Sequence, residues 1–166
     1  VVKHQKWIII AVVSALGLIA IYRLIPSDAA RIKKQFGRLS EQIAKRPGEN
    51  KLIAAANAKR IREVFTETVT IQEPGYNGTR VLAAAELPAL VLRARIPYAE
   101  LSLNFTDFVI DFPQQDQALV RVTAILRGVL PSGEVVEDFQ ELLCRLRTVE
   151  DVWRIEAVEV VTVLER

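Results

Sequence analysis

The stretch "LSLNFTDFVIDF", residues 101–112, alternates apolar and polar positions, but the alternation changes phase in the middle. Leu101, Leu103 and Phe105 share one parity, and Phe108, Ile110 and Phe112 share the other. Successive side chains of a strand point to opposite faces, so one apolar face survives the change only if an extra residue is inserted there. The spacing therefore predicts a single long strand with a β-bulge near Asp107. A strand well beyond the usual 5–6 residues, bent by a bulge, belongs to a strongly curved sheet.

Toward the C-terminus the same period continues. In "ALVRVTAILRGVL" (118–130) Val120, Val122, Ala124 and Leu126 alternate with Arg121, Thr123, Ile125 and Arg127, and "PSG" at 131–133 is a hairpin turn. "EVVEDFQELLCRLRTV", the turn "EDV" and "WRIEAVEVVTVLE" complete four consecutive strands with short connections, for which antiparallel pairing is expected.

Toward the N-terminus the period changes. "YNGTRVLAAAELPALVLRARIPYAE" (76–100) reads as a helix capped by Asn77 or Thr79, kinked or split at Pro88 and ended by Pro97. Before it, "TETVTIQEP" (66–74) suits a short strand. Residues 28–46 form a helix capped by Ser27 or Asp28 and stopped by Pro47-Gly48, with Ile32, Phe36, Leu39 and Ile43 as its apolar stripe. Residues 50–65 repeat the arrangement with Leu52, Ile53, Ala56, Ile61, Val64 and Phe65, so a helical hairpin is expected.

At the beginning of the chain, "WIIIAVVSALGLIAIYRLIPSD" (7–28) has no charge from Trp7 to Tyr22 and is apolar on every side apart from Ser14 and Gly17. Roughly 20 such residues cross ~30 Å of hydrocarbon. Trp7 and Tyr22 stand where aromatic rings prefer the head-group level, and Arg23 can reach outward from the end. Large or charged residues follow where a signal-peptidase site needs small ones, so an uncleaved single-pass anchor is expected. No Met occurs, and the two opening Val residues suggest a start that lost its initiator. Arg31, Lys33, Lys34 and Arg38 follow the span as a basic stripe suited to anionic lipid. Counting basic residues favours a cytoplasmic domain, whereas the export-signal character of the N-terminus favours the periplasm of a bacterial inner membrane, the side preferred here. The expected division is 1–25 for tail and anchor and 26–166 for one α+β domain.

Charge is divided as well: residues 1–65 carry a net +9 and residues 66–166 a net −7. Nucleic-acid binding is not expected, because the basic stripe lacks interleaved aromatics. The single Cys144 excludes an internal disulfide and a Cys-based zinc site and reads as a core residue, as do Trp153 and Phe139.

The order of helix, helix, strand, helix and four strands resembles the nuclear transport factor two-like superfamily, also called the SnoaL-like or cystatin-like cone. The resemblance rests on the hairpin "ARIKKQFGRLSEQIAKRPGENKLIAAANAKRIREVF", the strand "TETVTIQEP" and the closing strands through "VWRIEAVEVV". It implies three helices packed on a curved antiparallel sheet. For function it is broad, covering isomerases, dehydratases, polyketide cyclases, carriers and secretion-system subunits. Enzymes of the superfamily set acid–base groups inside the cone, often an Asp with a Tyr or His. The only histidine here is His4, before the apolar span. That leaves Asp107, Asp111, Glu137, Asp138, Glu156, Glu159, Tyr76 and Tyr98, of which Asp107 and Tyr98 are the candidate pair for proton transfer. The competing placement puts Asp107 outward at the bulge and Tyr98 packed at a helix end.

No metal ligand set or cofactor is expected. The leading expectation is a membrane-anchored, non-catalytic binding or scaffolding protein with the lipid bilayer, a protein partner or a second copy as partner, and with room for a small-molecule ligand. The alternatives are a membrane-tethered SnoaL-like enzyme of isomerase or dehydratase type, which needs a pocket where a carboxylate and a tyrosine converge, and a subunit of a secretion or envelope complex.

Overall fold

The structure is a computed structural model that describes residues 27–73 and 79–161. The chain divides into two units, Val1–Arg31 and Ile32–Arg166. The expected anchor, with Trp7, Tyr22 and Arg23, lies outside the described residues. Among the described residues no helix is long and apolar enough to cross a membrane.

Helix α1, Asp28–Ile43, begins where expected: the Ala30 amide donates to Ser27 Oγ at 3.3 Å, which makes Ser27 the cap. Ile32, Phe36 and Leu39 of its stripe are buried, together with Gln35 and Gln42 on the same face. After α1 the chain makes a bridge between Lys45 and Leu101 and turns at Gly48, whose φ of 69° suits a residue without Cβ. Asn50 then caps α2, Lys51–Arg60, by accepting from the Leu52 amide at 2.8 Å.

The expected helical hairpin is not what forms. Helix α2 packs chiefly on a later helix rather than on α1, and only Ala58 of α2 is buried. Leu52 is 79% exposed and Ile53 is 55% exposed, so the apolar residues read as its inner face lie outside the core. The reason lies in the stripe itself: Leu52, Ile53 and Ala56 are clustered in the first two turns and are not continued at helical spacing until Ile61, which stands in a 3₁₀ turn, Ile61–Glu63.

Strand β1, Phe65–Gln72, follows, and β2, Thr79–Ala83, pairs with it antiparallel. Residues 79–83 were expected in a helix. The β-branched Thr79 and Val81 instead complete a ladder with β1, and the helix proper, α3 at Leu87–Ala94, starts after the 3₁₀ turn Ala84–Glu86. Pro88 dictates this position, because a residue lacking the amide proton is tolerated in the first helical turn and not in the interior.

The last four strands are β3 (Glu100–Gln114), β4 (Gln117–Val129), β5 (Val135–Val149) and β6 (Val152–Val161), joined as antiparallel neighbours. The bulge falls where the phase change predicts it: the β3–β4 register shifts between Thr106 and Val109, and Asp107 has φ 55°. Glu150 and Asp151 both have positive φ, as a two-residue hairpin turn of the right hand requires. The sheet order is β2-β1-β6-β5-β4-β3, and β1 runs parallel to β6. The sheet is thus mixed, a correction to the antiparallel expectation. Alternating burial specifies a strand's faces and carries no information on the direction of a neighbour brought in from 80 residues away.

The unit Ile32–Arg166 is an α+β fold in which helices cover the concave face of the curved sheet. Its core joins Ile32, Phe36 and Leu39 to Val120, Val122, Cys144, Leu146, Trp153 and Ile155, and includes Leu82 and Leu87. Phe36 meets Phe105 and Phe108 edge-on, at ring-centroid distances of 5.0 and 5.3 Å. Trp153 is buried as expected, whereas Phe139 is 60% exposed, because residues 135–140 of β5 are solvent-exposed throughout.

Candidate functional site

The core under α1 is apolar. Between α1 and the sheet stand Phe36, Phe105, Phe108, Val120, Val122 and Leu146, with Cys144 beneath them. Burial pushes the Cys144 thiol up to about 12, so at neutral pH it holds its proton and is no nucleophile.

Asp107 and Tyr98 do not converge. Asp107 is exposed at the bulge, with Oδ2 accepting from the Thr106 hydroxyl at 2.9 Å. Tyr98 lies just before β3, its ring occupying the space a Cβ at Gly128 would need. With ~3.3 Å per residue, the seven residues from Glu100 to Asp107 separate the two by roughly 20 Å. Of the other carboxylates, Glu137 faces Arg127 and Glu156 faces Arg147 in solvent-exposed ion pairs of 3.9 and 3.6 Å. Such pairs contribute little. Tyr76 lies outside the described residues.

The opening lies elsewhere. Because α2 stands off from α1, a groove of about 1050 Å³ remains between the C-terminal half of α1, the turn at 46–50, α2 and the start of β3. Its walls mix polar side chains with Ala44, Pro47, Ile53, Val64 and Leu103 and contain no aromatic ring. Gln35, Arg38, Glu41 and Gln42 come from α1, Asn57 and Arg60 from α2, Glu63 from the 3₁₀ turn. Asn104 of β3 also lines it.

Each wall has a physical anchor. Gln35, buried, donates from Nε2 to the Trp153 carbonyl at 2.8 Å and accepts at Oε1 from Arg38 at 3.2 Å, which fixes α1 on β6 and holds the guanidinium at the groove. The 44–50 turn is stapled to the segment after α3. Arg95 donates to the Ala44 carbonyl at 2.8 Å and to Glu49, and Lys45 Nζ donates to the Arg95 carbonyl at 3.2 Å and to that of Tyr98. The side chains of Arg95 and Glu49 are nearly inaccessible, so this ion pair stands in a low-dielectric setting where losing one partner is costly.

With Glu49 held by Arg95, two carboxylates of the groove, Glu41 and Glu63, have no ion pair among the described residues. Gln42 is 91% buried by its 9% exposure, and its Oε1 has no hydrogen-bond partner. Buried acceptors are normally satisfied, and this one is sealed from solvent, so its lack of a donor is a local cost to the fold. Arg38, read in the sequence as part of a lipid-facing stripe, lines the groove; Arg31 pairs with Asp28 at 3.2 Å, and Lys33 and Lys34 are exposed on α1.

The sequence reading missed Gln35, Gln42, Asn57, Arg60 and Glu63. One signal was present for the first two: Gln35 and Gln42 occupy positions on the α1 stripe, three residues after Ile32 and Leu39, where apolar side chains are expected. Among the described residues no group of three or more His, Cys, Asp or Glu side chains is arranged to hold a metal ion.

No family model matches the chain. No curated protein matches it in sequence. Solved structures do. A nuclear transport factor two-like protein with a cystatin-like fold from Novosphingobium aromaticivorans is 17% identical, with a TM-score of 0.63, covering 87% of each chain. A hexachlorocyclohexane dehydrochlorinase (LinA) of type 2 is 14% identical, with a TM-score of 0.62, covering 80% of this chain and 83% of its own. A protein assigned as a scytalone dehydratase, also from Novosphingobium aromaticivorans, is 12% identical, with a TM-score of 0.62, covering 91% and 89%.

At these identities the likeness establishes architecture, and the activities named belong to the neighbours. The neighbours nonetheless overturn the expectation of a non-catalytic scaffold as the leading reading: the fold company of this chain includes proteins named for elimination chemistry, which favours the enzyme alternative. The described chain has the fold of the nuclear transport factor two-like, cystatin-like proteins.

Proposed function

We propose that the protein is an enzyme of the SnoaL-like type that moves a proton on a small polar substrate, in an isomerase- or dehydratase-type reaction, within the groove between α1 and α2. The observation that carries this reading is that two carboxylates with no ion pair among the described residues, Glu41 and Glu63, line the same open groove as the guanidiniums of Arg38 and Arg60. A carboxylate can take a proton from carbon next to a carbonyl, and a guanidinium can hold the negative charge that then develops on oxygen. Neither role requires a histidine. Glu63 is the base in this proposal, because it shares its wall with Arg60 and Asn57, and Glu41 on the opposite wall is the acid that returns the proton or delivers it to a leaving hydroxyl.

The reaction takes place at a membrane in this proposal. The apolar span framed by Trp7, Tyr22 and Arg23 tethers the domain on the periplasmic side, and the exposed Lys33 and Lys34 follow it toward anionic head groups. A reporter fused after Arg166 checks the side; activity only in the cytoplasm reverses the orientation.

Proton abstraction is tested without knowing the substrate. A panel of 2-oxo acids, including 2-oxoglutarate, is incubated with the full chain in D₂O, and loss of the C–H signal beside the carbonyl is followed by NMR. The wild-type protein should accelerate exchange for at least one member, and Glu63→Gln should remove about 10²-fold of that acceleration or more. Equal exchange in the two proteins, or none in either, rejects the assignment.

A further inference from the structure

The helices cover one face of the sheet, and the other face carries apolar side chains in the open. We infer that this second face is the contact between two copies of the chain. They pack sheet on sheet about a two-fold axis that runs along the strands between β4 and β5, so that Arg127 of each copy lies on Glu137 of the other.

The register of the ladder defines the face. Ala118, Val120, Val122 and Ala124 of β4 are buried in the protein, so the odd-numbered residues between them, and their registered neighbours on β5, point the opposite way. Level by level, Val129 stands beside Val135, Arg127 beside Glu137, and Ile125 beside Phe139. Val109 of β3 extends the surface next to Arg121. Phe139 is 60% exposed, Val109 54% and Val135 51%. Two apolar levels thus enclose one charged level on adjacent strands, which makes a contiguous patch rather than scattered residues. Patches of this kind mark contact surfaces.

Charge specifies the occupant. Arg121 and Arg127 stand on β4, while Glu137 and Glu141 stand on β5. Within one copy they form loose ion pairs, Arg121 with Glu141 at 3.4 Å and Arg127 with Glu137 at 3.9 Å, and in water such pairs contribute little. A basic strand beside an acidic strand is, however, its own complement. A second copy turned over about an axis parallel to the strands lays its β5 on this β4 and its β4 on this β5, level with level. Arg127 then meets the partner's Glu137, Ile125 meets the partner's Phe139, and Val129 meets the partner's Val135. Every contact is made twice, as an isologous interface requires. Each guanidinium gains a second carboxylate in drier surroundings, where charge-assisted hydrogen bonds are stronger. Turning the copy about the other in-plane axis, across the strands at Thr123, sets Glu141 against its own counterpart, a like-charge contact that selects the first arrangement.

The dimensions suit a stable dimer. From Leu119 to Val129, β4 is ~34 Å long, and β3 to β6 are ~19 Å across, a flat area of roughly 650 Å². The relief of the side chains raises the buried surface toward the roughly 800 Å² per partner of a standard interface. Two twisted sheets stacked this way keep their strands within about 30° of each other, so the levels stay matched near the axis.

The test is sedimentation equilibrium of the full chain in nonionic detergent, with three variants at exposed or half-exposed positions. The wild-type protein should be a dimer at micromolar concentration. Arg127→Glu makes the central level acidic on both strands, and Glu137→Arg makes it basic on both, so each variant alone should dissociate about tenfold more readily or more. An equimolar mixture of the two should recover a dimer with one chain of each kind, identified by native mass spectrometry. Phe139→Ser should weaken association about tenfold without lowering the thermal stability of the monomer, because the ring is packed only in the dimer. Thermal unfolding verifies that each variant is folded. A monomeric wild type overturns the inference. So does a dimer that is indifferent to all three substitutions, which is the result expected if the chains associate through the apolar stretch at 7–25. Failure of the two folded charge variants to pair with each other rejects the two-fold arrangement.

Discussion

The interior under α1 and the groove beside it share one helix and differ in almost everything else. Ile32, Phe36 and Leu39 are buried in the core among aromatic and aliphatic side chains, while Gln35, Arg38, Glu41 and Gln42 of the same helix line an open groove. The interior contributes stability through burial. The groove contributes less, since Arg38, Glu41, Arg60 and Glu63 on its walls are exposed to solvent and Gln42 Oε1 beside it is buried without a donor.

Substitutions can break that contrast. Phe36→Ala should have the largest effect, lowering unfolding free energy by about 3–5 kcal/mol in urea titration, because it removes the ring that holds Phe105 and Phe108. A loss below ~1 kcal/mol would mean that the interior is not packed as described. Glu49→Gln should cost about 3 kcal/mol by leaving the Arg95 guanidinium buried without its counter-charge, and should loosen the groove's floor at the same time.

Cys144 sharpens the comparison through pH. The folded protein keeps the thiol proton up to about 12, whereas the unfolded chain releases it near 9.0. Between these values the unfolded state binds fewer protons, so stability falls as pH rises, by about 1.4 kcal/mol per unit, and below pH 9 the group contributes no slope. Cys144→Val should remove this part of the alkaline decline in unfolding free energy, and iodoacetamide should label the wild-type thiol only after denaturation.

Gln42→Leu runs the other way. Removing an acceptor that is buried without a donor should raise stability by about 1 kcal/mol in urea titration. A loss of stability instead would place Gln42 with the packed interior. Lys33→Ala is the smallest case: its ammonium lies 5.5 Å from the Phe108 ring centroid at the exposed rim, and its removal should cost about 0.5 kcal/mol in the same titration.

Much of this arrangement was legible beforehand. The phase change around Asp107 located a bulge to within a residue, Ser27 marked the start of the first helix, which ends at Ile43 ahead of the expected stop at Pro47-Gly48, and the four closing strands followed from period two. The third helix was misread between residues 79 and 86, because "TRVLAAAE" has helix-forming alanines and its strand identity comes from pairing with β1. The catalytic guess at Asp107 and Tyr98 failed to anticipate their separation along β3, and the groove was illegible because it depends on α2 standing off from α1. Two glutamines on an apolar stripe were its only trace.

By itself the sequence determined the local elements, since caps, turns and side-chain periodicity act over a few residues and leave their mark in order. It also showed that the domain at 26–166 carries no histidine, the only one in the sequence being His4. Only the tertiary structure decided that β6 lies parallel to β1, that Phe36 packs against Phe105 and Phe108, and that Gln42, Arg60 and Glu63 line one groove. Those outcomes depend on how elements distant in sequence share space, and volume filling between them is a property of the packed ensemble of side chains that no single stretch encodes.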